Sequence, residues 1–111
     1  MKMGEQKLEH RVRIKDLPLE ERPREKLLKE GAESLSDAEL LAILIGSGTK
    51  DKSAIDLANE VLNKYNSFRG LAGKTIEEIK EIKGLKEAKI LNIAAAFEIA
   101  RRIVEEVQKY E

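Results

Sequence analysis

Residues 75–89 read TIEEIKEIKGLKEAK, and this stretch decides the fold. Thr75 and Glu78 stand three residues apart, which is the spacing of a capping box that opens a helix. The isoleucines that follow lie on one face, which predicts a helix of two turns ending near Ile82. Gly84 then interrupts the pattern, because glycine readily adopts the left-handed conformation that ends a helix. The stretch predicts a short helix, a tight turn and the start of a second helix.

The residues around Gly84 resemble the helix-hairpin-helix motif, which binds DNA. In that motif an apolar residue after the glycine, here Leu85, fills the space between the helices, and a small residue, here Ala88, lets them approach closely. The free N–H groups that begin the second helix then point at a phosphate, so the motif contacts the DNA backbone and not the bases. Members of the motif usually have a second glycine two residues after the first, where this chain has Lys86.

Lysines flank the turn, and we predict that Lys83, Lys86 and Lys89 surround the phosphate at the positive end of the helix dipole. The alternative interpretation is simpler. Gly84 is then an ordinary helix cap, and the lysines form a solvated face that Glu81 and Glu87 dilute.

A second unit of the same kind precedes this one. A capping box at Ser36 opens an apolar helix, Gly46-Ser47-Gly48 ends it, and a further capping box at Ser53 opens the next helix. The order of elements matches that around Gly84, which indicates an internal duplication. If both hairpins emerge on one side, phosphate contacts are predicted at Gly46, Gly48, Thr49, Lys50 and Lys52; the alternative is an ordinary exposed loop.

The remaining patterns complete an all-α fold, a compact bundle of five to six helices with two helix-hairpin-helix units. Residues 1–14 are predicted to be a flexible N-terminal arm and residues 15–111 the helical domain. A helix over residues 24–30 is expected to bury Leu27 and Leu28. The last helix, from about Lys86 to Lys109, is apolar all round at residues 93–97 and is expected to run through the middle of the bundle.

The composition narrows the range of possible functions. The 111 residues carry 21 basic and 21 acidic side chains, so any phosphate site must be a local concentration of charge. The chain has no cysteine and only one histidine, His10. No side chains pair as an acid and a base, so we expect a non-enzyme with no metal and no cofactor. No apolar run approaches the roughly 20 residues of a membrane span, and we expect a cytoplasmic protein that does not contact membranes.

Several segments are similar to the N-terminal region of the RadC family, proteins named for DNA repair and also classed as UPF0758. The resemblance covers about residues 12–103 and is most specific over residues 22–44. The segments that carry it are Arg13–Pro18, Glu21–Leu28, Leu35–Leu44, Gly46–Lys50, Gly84–Lys89 and Ala100–Arg102.

The resemblance implies a DNA-binding domain that is coupled, in longer members, to a C-terminal metal-dependent domain of the JAMM/MPN type. That second domain holds zinc through an H-x-H pair and a distant Asp, for which this chain offers only His10. We therefore expect a fragment of a longer protein, with a short natural protein as the alternative. Weak, salt-dependent, sequence-independent DNA binding is the first functional hypothesis.

The second hypothesis is a protein-interaction or dimerisation module, with a homodimer as one possible assembly. It rests on the neutral net charge, on Lys86 in place of the second glycine, and on an amphipathic tail. The apolar residues of that tail are Ile103, Val104, Val107 and Tyr110.

Overall fold

The computed structural model describes Leu17 and residues 22–110, and this part of the chain is helical with no β-strand. A 3-10 turn, Ala32–Ser34, follows the first helix. The α-helices within residues 22–110 are α1 (Pro23–Glu30), α2 (Asp37–Ile45), α3 (Ala54–Tyr65), α4 (Phe68–Ala72), α5 (Ile76–Ile79) and α6 (Glu87–Lys109). The predicted all-α bundle is confirmed. The predicted flexible arm of residues 1–14 lies outside the described residues.

The three predicted capping boxes, at Ser36, Ser53 and Thr75, all form. In each, the side-chain oxygen of the capping residue accepts the N–H of the third helical residue. The carboxylate of that third residue accepts the N–H of the capping residue in return. Each box satisfies donors that a helix start otherwise leaves free. Helices α2, α3 and α5 therefore begin where the sequence predicts.

The core lies where α2 packs along α3 and α6 lies across α2. Helix α4 adds Leu71, and Phe68 meets Phe97 of α6 edge to face with ring centroids 6.1 Å apart. Burial of these branched aliphatic side chains supplies most of the driving force for folding. The largest fully buried side chains are Leu41, Ile45, Leu57, Val61, Leu71, Ile90 and Ile93.

Helix α1 departs from the expectation that both of its leucines are buried. Leu27 is half-buried, but Leu28 is 88% exposed. Neighbouring helical residues point about 100° apart, and α1 turns Leu27 towards the bundle and Leu28 towards solvent. Lys26 joins this side of α1 to α2 through an ion pair with Glu39 at 3.3 Å.

Helix α6 does not run through the middle of the bundle, which corrects the second expectation. Only Ile90 and Ile93 of α6 are buried, and Ala95 is exposed. The helix has 23 residues, about 35 Å of length, and its neighbours cover one side of its first half. Within the described residues, no helix is both long enough and apolar enough to cross a membrane.

Helix α5 is shorter than predicted, since its α-helical part ends at Ile79. Beyond it the chain tightens, with Ile82 N–H donating to the Ile79 carbonyl at 3.1 Å and Leu85 N–H donating to the Ile82 carbonyl at 3.2 Å. These are the three-residue steps of a 3-10 turn. The tighter turn still directs Ile82 into the core, where it is buried as predicted.

Candidate nucleic-acid interface

The two glycine turns of the molecule touch each other. Gly84 has φ +92°, and a Cβ placed on it would lie 3.2 Å from Cγ2 of Thr49 and 3.1 Å from Cδ2 of Leu57. Thr49 belongs to the first hairpin, which we define as residues 46–53, and Gly84 to the second hairpin, residues 83–88. Residues that stand far apart in the sequence therefore meet in one surface region.

Lys89 joins the hairpins through hydrogen bonds. Its ammonium donates to the Ile45 carbonyl at 2.8 Å and to Oγ of Ser47 at 3.1 Å. Ile45 is the last residue of α2, so the ammonium lies at the negative end of that helix dipole. The sequence predicts Lys89 as a phosphate contact, and the structure gives it a second task, which is to hold α6 against the end of α2.

The first hairpin begins with a γ-turn. Gly46 has φ 84° and ψ −67°, the angles of the rare γ-turn that is strained for other residues. Ser47 N–H donates across it to the Ile45 carbonyl at 3.0 Å, and Gly46 N–H donates to the Ala42 carbonyl at 2.8 Å. Both N–H groups are used inside the protein.

Thr49 closes the rest of the first hairpin. Its N–H donates to the Lys52 carbonyl at 2.7 Å, and its hydroxyl accepts the N–H groups of Asp51 and Lys52 at 3.3 and 3.1 Å. Gly48 lies so close to this turn that a Cβ would overlap the Lys52 carbonyl oxygen. The predicted contacts Gly48 and Thr49 therefore serve the internal structure of the loop.

The two lysines of the first hairpin differ. Lys52 forms an ion pair with Glu60 of α3 at 2.7 Å, which offsets its charge locally. Lys50 is exposed and has no ion-pair partner among residues 22–110. Of the two lysines predicted as contacts in this hairpin, Lys50 is therefore the one whose charge is available to a ligand.

The second hairpin leaves its N–H groups open. Helix α6 begins after Lys86, whose side chain makes no capping hydrogen bond. The N–H groups of Lys86, Glu87 and Ala88 have no partner in the described part of the chain. The four helices α2 to α5 have a Ser or Thr cap that accepts the N–H of the third helical residue, whereas in α6 that N–H, of Lys89, donates to the Lys86 carbonyl at 3.0 Å.

The residue types of the second hairpin suit this arrangement in part. Lys86 has φ −77° and ψ 164°, ordinary extended backbone, so the position does not require the second glycine of the motif. Leu85 is buried between the helices as predicted. Ala88 is exposed, which corrects the expectation that it lies at the contact between the helices, because α6 turns this position outward.

The charge at the second hairpin is mixed. Lys83 and Lys86 are exposed and have no ion-pair partner within the described region. Glu87 occupies the first turn of α6, where its negative charge repels an incoming anion. The sequence predicts Glu87 only as a charge that dilutes the lysine run, although its place in the first turn can be read from the same residues.

In chemical terms, the arrangement offers N–H donors and ammonium groups to an anion. No cluster of three or more His, Cys, Asp or Glu side chains forms a possible metal site in the part of the chain that the structure describes. Every buried side-chain nitrogen or oxygen there has a hydrogen-bond partner.

Comparison with known proteins places the chain beside one family. Residues 14–91 match the UPF0758 N-terminal domain. The chain is 50% identical over 95 residues to a UPF0758 protein of Desulforudis audaxviator, which covers 86% of this chain and 41% of that protein. It is 54% identical over 91 residues to a UPF0758 protein of Alkaliphilus oremlandii, covering 81% of this chain and 39% of that protein.

A UPF0758 protein of Geobacillus thermodenitrificans gives a similar result, with 51% identity over 90 residues, 81% of this chain and 40% of that protein. The chain thus spans about two fifths of the length of the curated relatives it matches. No solved structure matches it.

Proposed function

The chain belongs to the UPF0758 family, and from that premise we propose that it is a non-catalytic, sequence-independent DNA-binding module of a RadC-like DNA repair protein. The observation that carries the proposal is the uncapped start of α6 beside Gly84, with Lys83 and Lys86 exposed on either side of the glycine.

The chemistry of that helix start suits a phosphate. The open N–H groups of Lys86, Glu87 and Ala88 can all donate to phosphate oxygens, and the helix dipole favours negative charge at this end. Phosphates recur along every nucleic acid and carry no base information, so contacts of this kind bind DNA without sequence preference.

Charge limits the strength of binding. Lys50 adds a third open cation from the first hairpin, which touches the second through Thr49 and Gly84. The chain as a whole has zero net charge, so attraction comes from this local group alone. About three neutralised phosphates give a slope of roughly −3 when the logarithm of the binding constant is plotted against that of the salt concentration.

The role of such a module is to bring an attached domain to DNA. The relatives are longer than this chain, and the RadC resemblance suggests a C-terminal metal-dependent domain as the attached partner. The same proposal covers the whole protein: it acts in DNA repair and is located in the cytoplasm.

The test is fluorescence anisotropy with labelled duplex, branched and single-stranded DNA across a salt series. We expect binding with the shallow slope given above, and loss of most binding in a Lys83→Gln/Lys86→Gln variant. A Lys29→Gln/Lys109→Gln variant is the matched control, because it removes the same charge from exposed positions that make no ion pair among the described residues. Equal loss in both variants, or no binding at low salt, would contradict the proposal.

Glu87 supplies a variant with the opposite sign. Its carboxylate lies beside the open N–H groups, so Glu87→Gln removes a repulsion and we expect DNA binding to tighten by about threefold to tenfold. A variant at Glu30, an exposed acidic residue at the end of α1, provides the control for net charge. Equal tightening in both variants would point to diffuse attraction and not to the hairpin.

The second candidate function, a protein-interaction or dimerisation module, is favoured by one observation. The second half of α6 leaves Ile99, Ile103, Val104, Val107 and Tyr110 more than half exposed. The two functions are compatible, since this surface and the second hairpin lie at opposite ends of α6.

A further inference from the structure

A cavity of about 220 Å³ lies where the start of α1 meets the end of α2, and we call it the α1–α2 cavity. At roughly 30 Å³ for each water molecule, its volume corresponds to about seven waters, which leaves room for a phosphate group. Gly46 is also the first residue of the first hairpin, so the cavity borders the glycine turns. The residues that line it include Arg22, Arg24 and Glu25 on one side and Ala42, Ile43 and Gly46 on the other.

Positive charge exceeds negative charge among the residues that line this cavity. Two guanidinium groups stand there against the single carboxylate of Glu25. Arg22 donates from Nε to the Leu17 carbonyl at 3.3 Å, whereas Arg24 is exposed and has no ion-pair partner among residues 22–110. The planar fork of N–H donors on Arg24 is therefore available to a phosphate, which a guanidinium can bind through two oxygens at once.

The end of α2 does not cancel this positive charge. The last carbonyls of a helix carry partial negative charge, which repels an anion. In α2 the Ile45 carbonyl accepts the ammonium of Lys89 at 2.8 Å, which places a full positive charge at this helix end. The Leu44 carbonyl also accepts a hydrogen bond, from the side-chain amide of Asn92 at 3.4 Å. The negative end of the α2 dipole is thus compensated from α6.

We propose that the α1–α2 cavity binds a further backbone phosphate of the same DNA, with Arg24 as the contact. This inference rests on the proposed function, since it extends the path of the DNA from the second hairpin across the first. Thr49 touches Gly84, and Gly46 precedes Thr49 by three residues, at most about 11 Å of chain. Phosphates follow one another at about 3.4 Å along each strand, so one short duplex reaches both sites.

The first test is the anisotropy salt series with an Arg24→Gln variant. A fourth phosphate contact steepens the native slope from roughly −3 to roughly −4, and the variant returns it to roughly −3. Such a contact corresponds to a loss of affinity on the order of tenfold at about 0.1 M salt. Arg69→Gln is the matched control, because Arg69 is also exposed without an ion pair in the described region, and it lies beside Ala100 of α6, away from the hairpins.

The outcomes separate this inference from the proposed function. Equal losses in the Arg24 and Arg69 variants overturn the cavity as a contact, because diffuse attraction depends on net charge alone. Native binding that depends on Lys83 and Lys86 but not on Arg24 also overturns it, and leaves the proposed function standing. No native binding at low salt overturns both. Circular dichroism checks that Arg24→Gln keeps the helical content, as expected for an exposed side chain.

The carboxylate in the cavity gives a variant of opposite sign. Glu25→Gln removes a repulsion, and we expect DNA binding to tighten by about twofold to fivefold. Glu33→Gln, at an exposed position of the 3-10 turn, is the control for net charge. Equal tightening in the two variants overturns the placement of a phosphate beside Glu25.

The Arg24 side chain can also be followed directly by NMR. We expect its Nε–Hε signal to shift when a short duplex is added at low salt, while the corresponding signal of Arg69 does not move. A parallel titration with inorganic phosphate distinguishes the source of the phosphate. A shift of the Arg24 signal with inorganic phosphate and none with DNA assigns the cavity to a free anion and overturns the proposed DNA path.

Discussion

The two hairpins share an order of elements and differ in what their N–H groups do. In the first, the N–H groups of Gly46, Ser47 and Thr49 all donate to carbonyls of the protein. In the second, the N–H groups of Glu87 and its two neighbours have no partner among residues 22–110. The N–H groups of Gly48 and Lys50 have no partner in the described residues, so the first hairpin is closed at Gly46, Ser47 and Thr49, whereas the second is open at its helix start.

Two local features account for the difference. The first hairpin carries an additional turn that Thr49 closes, and its second helix begins with Ser53, whose hydroxyl caps the helix. The second hairpin has no such turn, and its helix begins with Lys86, whose ammonium cannot accept an N–H. The comparison indicates that the first hairpin supports the second, and that the second is left available to an anion.

The largest expected effect tests the closed turn. Gly48→Ala puts a Cβ onto the Lys52 carbonyl oxygen, so the backbone must move. We expect a loss of about 3 kcal/mol in the free energy of unfolding, measured by urea denaturation. Gly73→Ala is the control, since Gly73 has φ −86° and open space around it, and we expect a change within about 0.5 kcal/mol. Equal effects would mean that the first hairpin is not tightly closed.

The next effect tests the contact between the hairpins. Gly84→Ala combines a positive φ with close approach to Thr49 and Leu57, and we expect a loss of about 2 kcal/mol in stability. Gly31 has nearly the same φ, +90°, with nothing within 4 Å of its Cβ position. Gly31 also has ψ 163°, a combination that only glycine readily adopts, so Gly31→Ala carries a backbone penalty of about 1 to 3 kcal/mol without any contact. Relief of the Gly84→Ala loss by Thr49→Ser, which removes Cγ2 and keeps the hydroxyl, measures the contact, and no relief would mean that the hairpins do not support each other.

A smaller effect tests the lysine that joins them. Lys89→Met keeps the length of the side chain and removes the donor to the Ile45 carbonyl, so we expect a loss of about 1 kcal/mol in stability. Lys86→Met removes an ammonium that makes no hydrogen bond within residues 22–110, and we expect almost no loss. In DNA binding we expect the opposite order, with a larger loss of affinity for Lys86→Met than for Lys89→Met. A large stability loss in both would contradict the assignment of separate tasks.

The smallest effect concerns the capping boxes that open the two units. Burial opposes the charge of Glu39, but the N–H of Ser36 and the ammonium of Lys26 outweigh it and hold the pKa of Glu39 below its usual range. The pKa of Glu78 is lowered by the N–H and hydroxyl of Thr75. Because these pKa values are lowered by folding, the associated stability is present above the unfolded pKa and is lost as the pH falls through the folded one.

Lys26→Met separates the two boxes. We expect the pKa of Glu39 to rise towards its unfolded value, so that its part of the acid-side loss of stability becomes smaller and is complete at a higher pH, while the pKa of Glu78 stays unchanged. Carboxyl titration followed by NMR measures both groups in one sample. A shift of both would show that the charge of Lys26 acts over a longer range than its 3.3 Å ion pair with Glu39.

Local signals in the sequence are sufficient for the starts of helices α2, α3 and α5. The capping boxes at Ser36, Ser53 and Thr75 and the glycine at position 84 depend on residues within one turn, and all form as predicted. The buried position of Leu85 also follows from its place after the glycine. These features could be predicted because each involves only neighbouring residues.

Long-range features could not be predicted in the same way. Lys89 bonds to a carbonyl 44 residues earlier, so its pattern resembles that of any lysine near a helix start. The exposure of Leu28 and Ala95 depends on which sides of α1 and α6 have neighbours, a property of the assembled bundle. The closed state of the first hairpin depends on the hydroxyl of Thr49, which the sequence presented only as one candidate contact.

The most direct test of the comparison is an NMR titration of backbone amides with a short DNA duplex at low salt. We predict that the amides of Lys86, Glu87 and Ala88 shift most, while those of Ser47 and Thr49 shift little because they already donate within the protein. Largest shifts in the first hairpin, or shifts spread evenly over the surface, would contradict the claim that the open turn binds the phosphate.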